Sequence, residues 1–180
     1  MAITINGTGT ISGISAGGLP DGCVDAGTLG ALPGGLWKGD GTNQTISTGT
    51  DTKLDFFNTA KWTNGSMSWD DTNKRIAFPI AGVYACHVKC SIPDESYLGN
   101  NVHIVFKING SNAHDSNSQM GFGVVPYKNN SEWYKSFNYS QFVEVAANDY
   151  LEVWFQHSKG SDATLSGDYT YLNIQYMGGA

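Results

Sequence analysis

The 180-residue chain has little charge, few cysteines and no long apolar run, and each shortage excludes a class of protein. Charged residues make up 14% of the chain, against roughly 25% in an average soluble domain, and the net charge is −6. This acidic balance offers nucleic acid no basic surface. No apolar run approaches a membrane span, and no basic segment followed by an apolar one marks a secretory leader. We therefore expect synthesis in a reducing cytoplasm, with no nucleic-acid or membrane partner.

Cysteine is scarce as well, because the three thiols of Cys23, Cys86 and Cys90 cannot form a complete disulfide framework. Cys86 and Cys90 lie on one predicted strand. At ~3.3 Å per residue their Cα atoms would be ~13 Å apart, which is too far for a disulfide bond. We expect both residues to be small buried hydrophobic side chains.

A sustained apolar period of about 3.6 residues is also missing, which argues against helices. Instead, apolar and polar side chains alternate with a period of two over residues 84–90, 102–108, 151–156 and 171–176. Turn pairs such as Asn64-Gly65 and Asn109-Gly110 lie between such runs. Many short alternating strands separated by turns predict an all-β fold, a jelly-roll β-sandwich.

Residues 1–40 differ in composition from the rest of the chain. They hold almost half of the 23 glycines and a single aromatic residue, Trp37. Their apolar side chains are too few for a core of their own, yet too many for a solvated linker. We predict an extended docking arm over residues 1–40, followed by the jelly-roll domain over residues 41–180. The predicted docking residues are Ile3, Ile5, Ile11, Ile14, Leu19, Val24, Leu29, Leu32 and Trp37.

Candidate reactive residues are isolated from one another. Residues 13–17 match the G-x-S-x-G pattern of serine hydrolases, but turn residues follow where that motif requires a helix. The histidines, His87, His103, His114 and His157, lack the spacing of a zinc site, and the loop acids lack that of a calcium loop. We expect no catalytic residue, no cofactor and no metal. His87 and His103 lie on the polar faces of their strands, at the surface or at a subunit contact.

Four stretches resemble, in order, motifs of the globular heads of complement component q and of the tumour-necrosis-factor superfamily. Residues 75–84, RIAFPIAGVY, are similar to a motif of phenylalanine, proline, glycine and tyrosine. Residues 105–110 resemble a strand that ends in an Asn-Gly turn, and residues 171–174 resemble the final strand. Residues 143–153 are similar to a Gly-Asp element, although Asn148 stands where the family usually has glycine. Asparagine also tolerates the left-handed turn conformation.

The resemblance covers about residues 50–178 and implies a jelly roll that assembles as a compact homotrimer. Trp154 and Tyr171 alternate out of phase with the apolar residues of their strands, so we predict that they contribute to trimer contacts. Aromatic residues are enriched at subunit contacts and also at sugar-binding sites. Host surface glycans are therefore an alternative partner.

The N-terminal residues 3–29, ITINGTGTISGISAGGLPDGCVDAGTL, resemble the opening of small virion proteins and tail fibres of tailed bacteriophages, especially cyanophages. This resemblance implies a structural protein on the outer surface of a virion. We predict a homotrimeric capsid decoration, or cement, protein whose arm docks to the major capsid protein or another virion protein. No heptad run or repeated shaft accompanies it, which favours decoration over a tail fibre. A glycan-binding tail-fibre module and a lectin-like module unrelated to virions remain alternatives.

Overall fold

The computed structural model describes residues 32–93, 102–113, 125–129 and 132–179, and these residues form strands and turns without a helix. Their compact unit begins at Leu32. The strands are β1 (Gly34–Lys38), β2 (Gln44–Ile46), β3 (Thr52–Lys53), β4 (Thr59–Asn64), β5 (Trp69–Asp70), β6 (Arg75–Ala77), β7 (Gly82–Pro93), β8 (Val102–Ile108), β9 (Ser111–Asn112), β10 (Val125–Asn129), β11 (Glu132–Val145), β12 (Tyr150–His157), β13 (Ala163–Leu165) and β14 (Tyr171–Gly178). Within the described ranges, no helix is long and apolar enough to cross a bilayer.

The strands form two large antiparallel sheets and one small one. Sheet 1 has the order β10-β11-β7-β14-β1-β4. Sheet 2 has the order β5-β6-β12-β8-β9, and β3 pairs with β12 beside this path. Strands β13 and β2 pair separately. Apart from β10 and β11, the neighbours in sheet 1 are distant in sequence, so strand pairing decides which side chains share a surface.

The core lies between the inner faces of sheets 1 and 2, as the alternating pattern predicts. Sheet 1 contributes alternate side chains of β7 and β14, among them Tyr84, Val88 and Ile174. Sheet 2 contributes alternate side chains of β8 and β12, among them Phe106 and Phe155. Each such side chain stabilises the fold by about 1.5–3 kcal/mol through its removal from water. The predicted all-β sandwich is confirmed.

Cys86 and Cys90 lie within this core, as predicted, and both thiols are free. Each is at most 1% exposed. Burial raises the pKa of the Cys86 thiol to about 12, because an apolar surrounding disfavours the thiolate. Burial raises the pKa of Cys90 as well. Both residues therefore act as small apolar core residues. Cys23 lies outside the described residues.

Trp37 corrects the predicted limits of the arm. It lies in β1, which pairs with β4 on one side and with β14 on the other, and it is 1% exposed. A Cβ atom at Gly35 would overlap the indole ring, so this glycine makes room for the tryptophan. Trp37 is thus a core residue and has no surface for docking. The glycine at position 35 therefore reflects the close packing of this ring.

The other predicted docking residues have different positions. Leu32 precedes β1 and is 53% exposed, so it remains available to a partner. The remaining members of the set lie outside the described residues, and their docking role stays a prediction: Ile3, Ile5, Ile11, Ile14, Leu19, Val24 and Leu29. The jelly-roll part of the chain therefore includes β1 in addition to residues 41–180.

The turn between β11 and β12 explains why asparagine can stand where the resembled motif has glycine. Asn148 adopts the left-handed conformation with φ of 70°, which asparagine tolerates better than most residues. Its backbone N–H donates to the carbonyl of Phe78 at 2.8 Å, and the N–H of Phe78 donates to the carbonyl of Asp149 at 2.8 Å. The turn is thereby fastened to the phenylalanine–proline segment that precedes β7.

A buried polar cluster joins β7 and β11 to the loop before β14. The Ser91 hydroxyl donates to the carbonyl of Tyr169 at 3.0 Å and lies 3.0 Å from the Ser136 hydroxyl, which is then the donor of that pair. The backbone N–H of Ser91 donates to the Thr170 hydroxyl at 3.0 Å. Because the buried hydroxyls are paired, the cluster avoids the cost of unsatisfied polar groups and fixes the loop against the sheet.

Candidate functional site on the outer face of sheet 1

The outer face of sheet 1 consists of the side chains that point away from sheet 2. Strand pairing places one row of them across five strands. Trp62 of β4 pairs with Leu36 of β1, which pairs with Asn173 of β14. Asn173 pairs with His87 of β7, and His87 pairs with Ser140 of β11. The row contains no charged side chain apart from the titratable histidine, which is unusual for a solvent-facing sheet surface.

Exposed large apolar side chains are concentrated at this sheet. Phe142 of β11 is 66% exposed and Met177 of β14 is 58% exposed, and alternation places both on the outer face. Trp62 is 42% exposed and lies over Gly34 on the same face. Leu32 precedes β1, and Ile80 precedes β7. Among the residues whose side chains the structure describes, every exposed large apolar one therefore lies on sheet 1 or in a segment that leads into it.

Sheet 2 and its turns have a different outer surface, which carries all the ion pairs found within the described ranges. Lys53 and Glu152 approach to 2.9 Å, and Lys107 and Asp51 to 4.0 Å. The remaining two pairs lie in the β5–β6 hairpin, Lys74–Asp71 and Arg75–Asp70. The two partly exposed pairs of the hairpin contribute little to stability, whereas Glu152 is buried beside Lys53. The two sides of the sandwich thus differ in chemistry.

Trp154 and Tyr171, the predicted trimer contacts, lie on opposite sides of the sandwich. Trp154 points outward from sheet 2, where its indole N–H donates to Glu152 at 3.2 Å and the Lys107 amine lies 3.8 Å from the ring centroid. A cation thus occupies one face of the indole. Tyr171 points outward from sheet 1, with its ring centroid 5.9 Å from that of His87. The two residues therefore do not form one patch.

Two grooves lie at sheet 1, and Phe142 lines the smaller of them. One, of about 250 Å³, is lined by residues of β7, β11 and β14: Ala85, Cys86, His87, Ser140, Gln141, Phe142, Asn173 and Gln175. The other, of about 590 Å³, lies at the end of the sheet and is lined by Ala81, Gly82, Glu144, Val145, Ala146 and Gly179. Phe142 forms an exposed apolar ridge beside the smaller groove. A surface with an apolar ridge and adjoining grooves suits contact with another protein surface.

Two buried polar atoms on β11 and β14 have no hydrogen-bond partner within the described part of the chain. They are Nε2 of Gln141, which points to the inner face because Gln141 pairs with Cys86, and Oδ1 of Asn173, which lies on the outer face. The oxygen of the Gln141 amide accepts from the Tyr139 hydroxyl, so only its nitrogen is left over. Buried polar atoms are nearly always paired, so the unpaired oxygen of Asn173 marks a point on the outer face that a further donor or water would satisfy.

His87 lies at the centre of the outer face. Its Nδ1 atom is 2.6 Å from the Ser140 hydroxyl oxygen. Partial burial lowers the pKa of His87 because the imidazolium loses hydration. A histidine–serine contact is also part of hydrolase active sites, but there a third group, usually a carboxylate, orients the imidazole. No carboxylate of the described residues contacts this ring, so the pair lacks that arrangement.

The other histidines have separate positions. His157 is buried, its Nε2 lies 3.0 Å from the carbonyl of Ile46, and its Nδ1 accepts from the N–H of Lys159. His103 lies on the outer face of sheet 2, and His114 lies outside the described residues. In the described ranges no group of three or more His, Cys, Asp or Glu side chains is placed to hold a metal ion.

The carboxylates of the β5–β6 loop accept hydrogen bonds within their own turn. Asp70 accepts hydrogen bonds from the backbone of Thr72 and Asn73 and from the side chain of Asn73. Hydrogen bonding to Asn73, in its side chain and backbone, lowers the pKa of Asp70. Asp71 accepts from Lys74 and from the indole of Trp69. These carboxylates stabilise the β5–β6 turn.

The sequence matches no family model and no curated protein. Solved structures nevertheless share the fold. Eiger TNF from S. frugiperda aligns with a TM-score of 0.57 at 13% identity, over 83% of this chain and 95% of that chain. Murine APRIL at pH 8.0 aligns with a TM-score of 0.51 at 10% identity, over 81% of this chain and 98% of that chain. The chain therefore has a tumour-necrosis-factor-like jelly-roll fold, as the sequence motifs predict.

Proposed function

We propose that the protein is a non-enzymatic assembly module that forms a homotrimer through the outer face of sheet 1. The observation that carries this proposal is the concentration of exposed large apolar side chains at sheet 1, while the ion pairs lie at sheet 2. Burying Phe142 or Met177 against a second copy would contribute up to about 2 kcal/mol each. The trimeric state, rather than a dimer, is what the family resemblance implies. Of the two predicted contacts, Tyr171 lies on this face.

The measurement is sedimentation velocity of the full chain over a range of concentrations. We expect a trimer for the wild type and dissociation for Phe142→Ser and Met177→Ser at concentrations where the wild type is assembled. Val105→Ser is the matched control, because Val105 points outward from sheet 2 at a half-buried position. A monomeric wild type, or equal weakening by the Val105 variant, would contradict the proposed surface.

We further propose that the trimer is a virion surface protein of a tailed bacteriophage, a capsid decoration protein attached by the segment that precedes Leu32. The support is the resemblance of residues 3–29 to phage virion proteins and the exposed Leu32 where the jelly-roll unit begins. Binding the assembled shell and not its free subunits would stabilise the particle by mass action. The major capsid protein or another virion protein is the expected partner.

Localisation on purified particles tests this role. Labelled antibody over the whole head supports decoration, whereas label confined to the tail supports a tail fibre. Deletion of residues 1–31 tests the arm, and it must stop there because a deletion to residue 40 also removes β1 and the core residue Trp37. A truncated chain that folds and still decorates particles normally would contradict docking through the arm.

A glycan-binding module, in a tail fibre or a free lectin-like protein, is the second candidate. The observation that favours it is the exposed indole of Trp62 at the edge of sheet 1, since tryptophan rings stack on sugars. Binding of the purified protein to a glycan array, with loss of binding in Trp62→Ala, would support this candidate over particle decoration.

A further inference from the structure

We propose that protonation of His87 weakens the trimer, so that assembly through the outer face of sheet 1 loosens as the pH falls. This inference rests on the proposed homotrimer and names a regulatory residue within its contact surface. It follows from the position of His87, from its hydrogen bond and from the charges around it.

The position of His87 makes its charge relevant to assembly. It lies in the middle of the row that crosses sheet 1, between Asn173 of β14 and Ser140 of β11. It also lines the groove beside Phe142, whose side chain is 66% exposed. A second copy that covers Phe142 would therefore cover the imidazole ring as well and remove it from water.

The hydrogen bond of His87 leaves one ring nitrogen dependent on solvent. Nδ1 lies 2.6 Å from the Ser140 hydroxyl oxygen, and no described residue contacts Nε2 by a hydrogen bond. In the separate chain, Nε2 can exchange hydrogen bonds with water. When a second copy covers the ring, the neutral imidazole can be accommodated. An imidazolium would lose the water that hydrates its charged N–H group.

The charged groups around His87 also disfavour the imidazolium. On its own strand Lys89 points to the same face, and the Lys89 amine lies 5.7 Å from the Tyr171 ring centroid. Tyr171 itself contacts the histidine from β14. On β11 the nearest carboxylate on this face is Glu144, which is ~13 Å from Ser140 along the strand. Lys38 of β1 pairs with Tyr171 in the next row. The nearest full charge is thus positive, and it repels an imidazolium.

The sign of the pH dependence follows from linkage. The assembled state favours the neutral imidazole, so each protomer that carries a protonated His87 must release a proton to assemble. Below the pKa of His87 in the separate chain, the trimer association constant therefore falls by up to about tenfold per pH unit for each protomer, or about 1000-fold for three. Above that pKa, the association constant does not depend on the protonation of His87.

Sedimentation equilibrium of the full chain between about pH 8 and about pH 5.5, the range in which histidine titrates, is the test. We expect weaker association of the wild type at the acidic end. His87→Asn retains a side chain that can bond to Ser140 but cannot titrate, so we expect its association to be flat across the range. His103→Asn is the matched control, because His103 points outward from sheet 2 and should leave the wild-type dependence unchanged.

The outcomes separate the two proposals. A wild type that is monomeric at every pH overturns the homotrimer itself. A trimer whose association is the same at both ends of the range, or a His87→Asn variant that keeps the full dependence, overturns the role of His87 alone. If this variant does not fold, as judged by far-ultraviolet circular dichroism, wild-type proton uptake on dilution at about pH 6 replaces it. Uptake supports the inference, and its absence contradicts it.

Discussion

The side-chain amide of Asn109 donates a 2.7 Å hydrogen bond to the carboxylate of Asp149. The same Asn109 side chain accepts from the backbone N–H of Tyr150 at 3.1 Å. Its backbone N–H donates to the carbonyl of Tyr150, also at 3.1 Å. Two of the motifs that carry the family resemblance, the Asn-Gly turn and the Asn-Asp turn, therefore meet in space. The carbonyl of Asp149 also accepts from Phe78, which belongs to a third motif.

We predict that Asn109→Ala lowers the free energy of unfolding by about 2 kcal/mol. About 1 kcal/mol comes from the lost hydrogen bonds and about 1 kcal/mol from placing alanine in a left-handed conformation. Asn109 has φ of 52°, so Asn109→Gly removes the hydrogen bonds without the backbone strain and should cost less. Urea denaturation measures both. Asn112→Ala, at an exposed position of β9, is the control, and an equal loss there would contradict the assigned role.

The junction of these motifs illustrates what can be predicted from this sequence. Alternation identifies β8 and β12 and their inward faces, because side-chain direction follows directly from the two-residue period of a strand. The turn residues are visible too. The contact between the two turns cannot be predicted, because it depends on the pairing of β8 with β12, which the sequence does not reveal. Motif order was the only signal that could have suggested it.

The candidate site was harder to predict for the same reason. Alternation places Trp154 and Tyr171 outward, but only strand pairing shows that they belong to different sheets. The exposure of Phe142 follows from its phase on β11, which pairs it with the outward Ala85. The partnership of His87 with Ser140 joins residues 53 positions apart and had no sequence signal.

We predict that Asn58→Ala raises the pKa of Asp40. The Asn58 amide donates to Asp40 at 2.9 Å, and the backbone N–H of Thr42 donates at 2.8 Å. These hydrogen bonds, that of Asn58 foremost, lower the pKa of Asp40 from 3.8 to about 2. Because the folded pKa is depressed, the stabilisation is present above the unfolded value of 3.8 and is lost as the pH falls towards about 2. Carboxyl NMR titration measures the shift; an unchanged Asp40 pKa would contradict the assignment.

We predict that Cys86 and Cys90 resist thiol reagents in the native protein. Both thiols are buried, and the raised pKa of Cys86, about 12, leaves almost no reactive thiolate at neutral pH. The measurement is the labelling rate with an alkylating reagent in a Cys23→Ser background, with and without denaturant. Labelling should appear only as the chain unfolds. Native labelling at the rate of a free peptide thiol would show that β7 does not bury these side chains.

Trp37 and Trp62 provide a matched pair, because they lie on neighbouring strands of sheet 1 and point to opposite faces. Trp37 is 1% exposed and Trp62 is 42% exposed. We expect Trp37→Ala to lower the free energy of unfolding by about 3–5 kcal/mol, since it leaves a cavity in the core. Trp62→Ala should change stability by less than about 1 kcal/mol and weaken self-association instead. Thermal unfolding measures the stability of both variants, and sedimentation measures their self-association. A Trp37→Ala protein of wild-type stability would contradict the core position of Trp37.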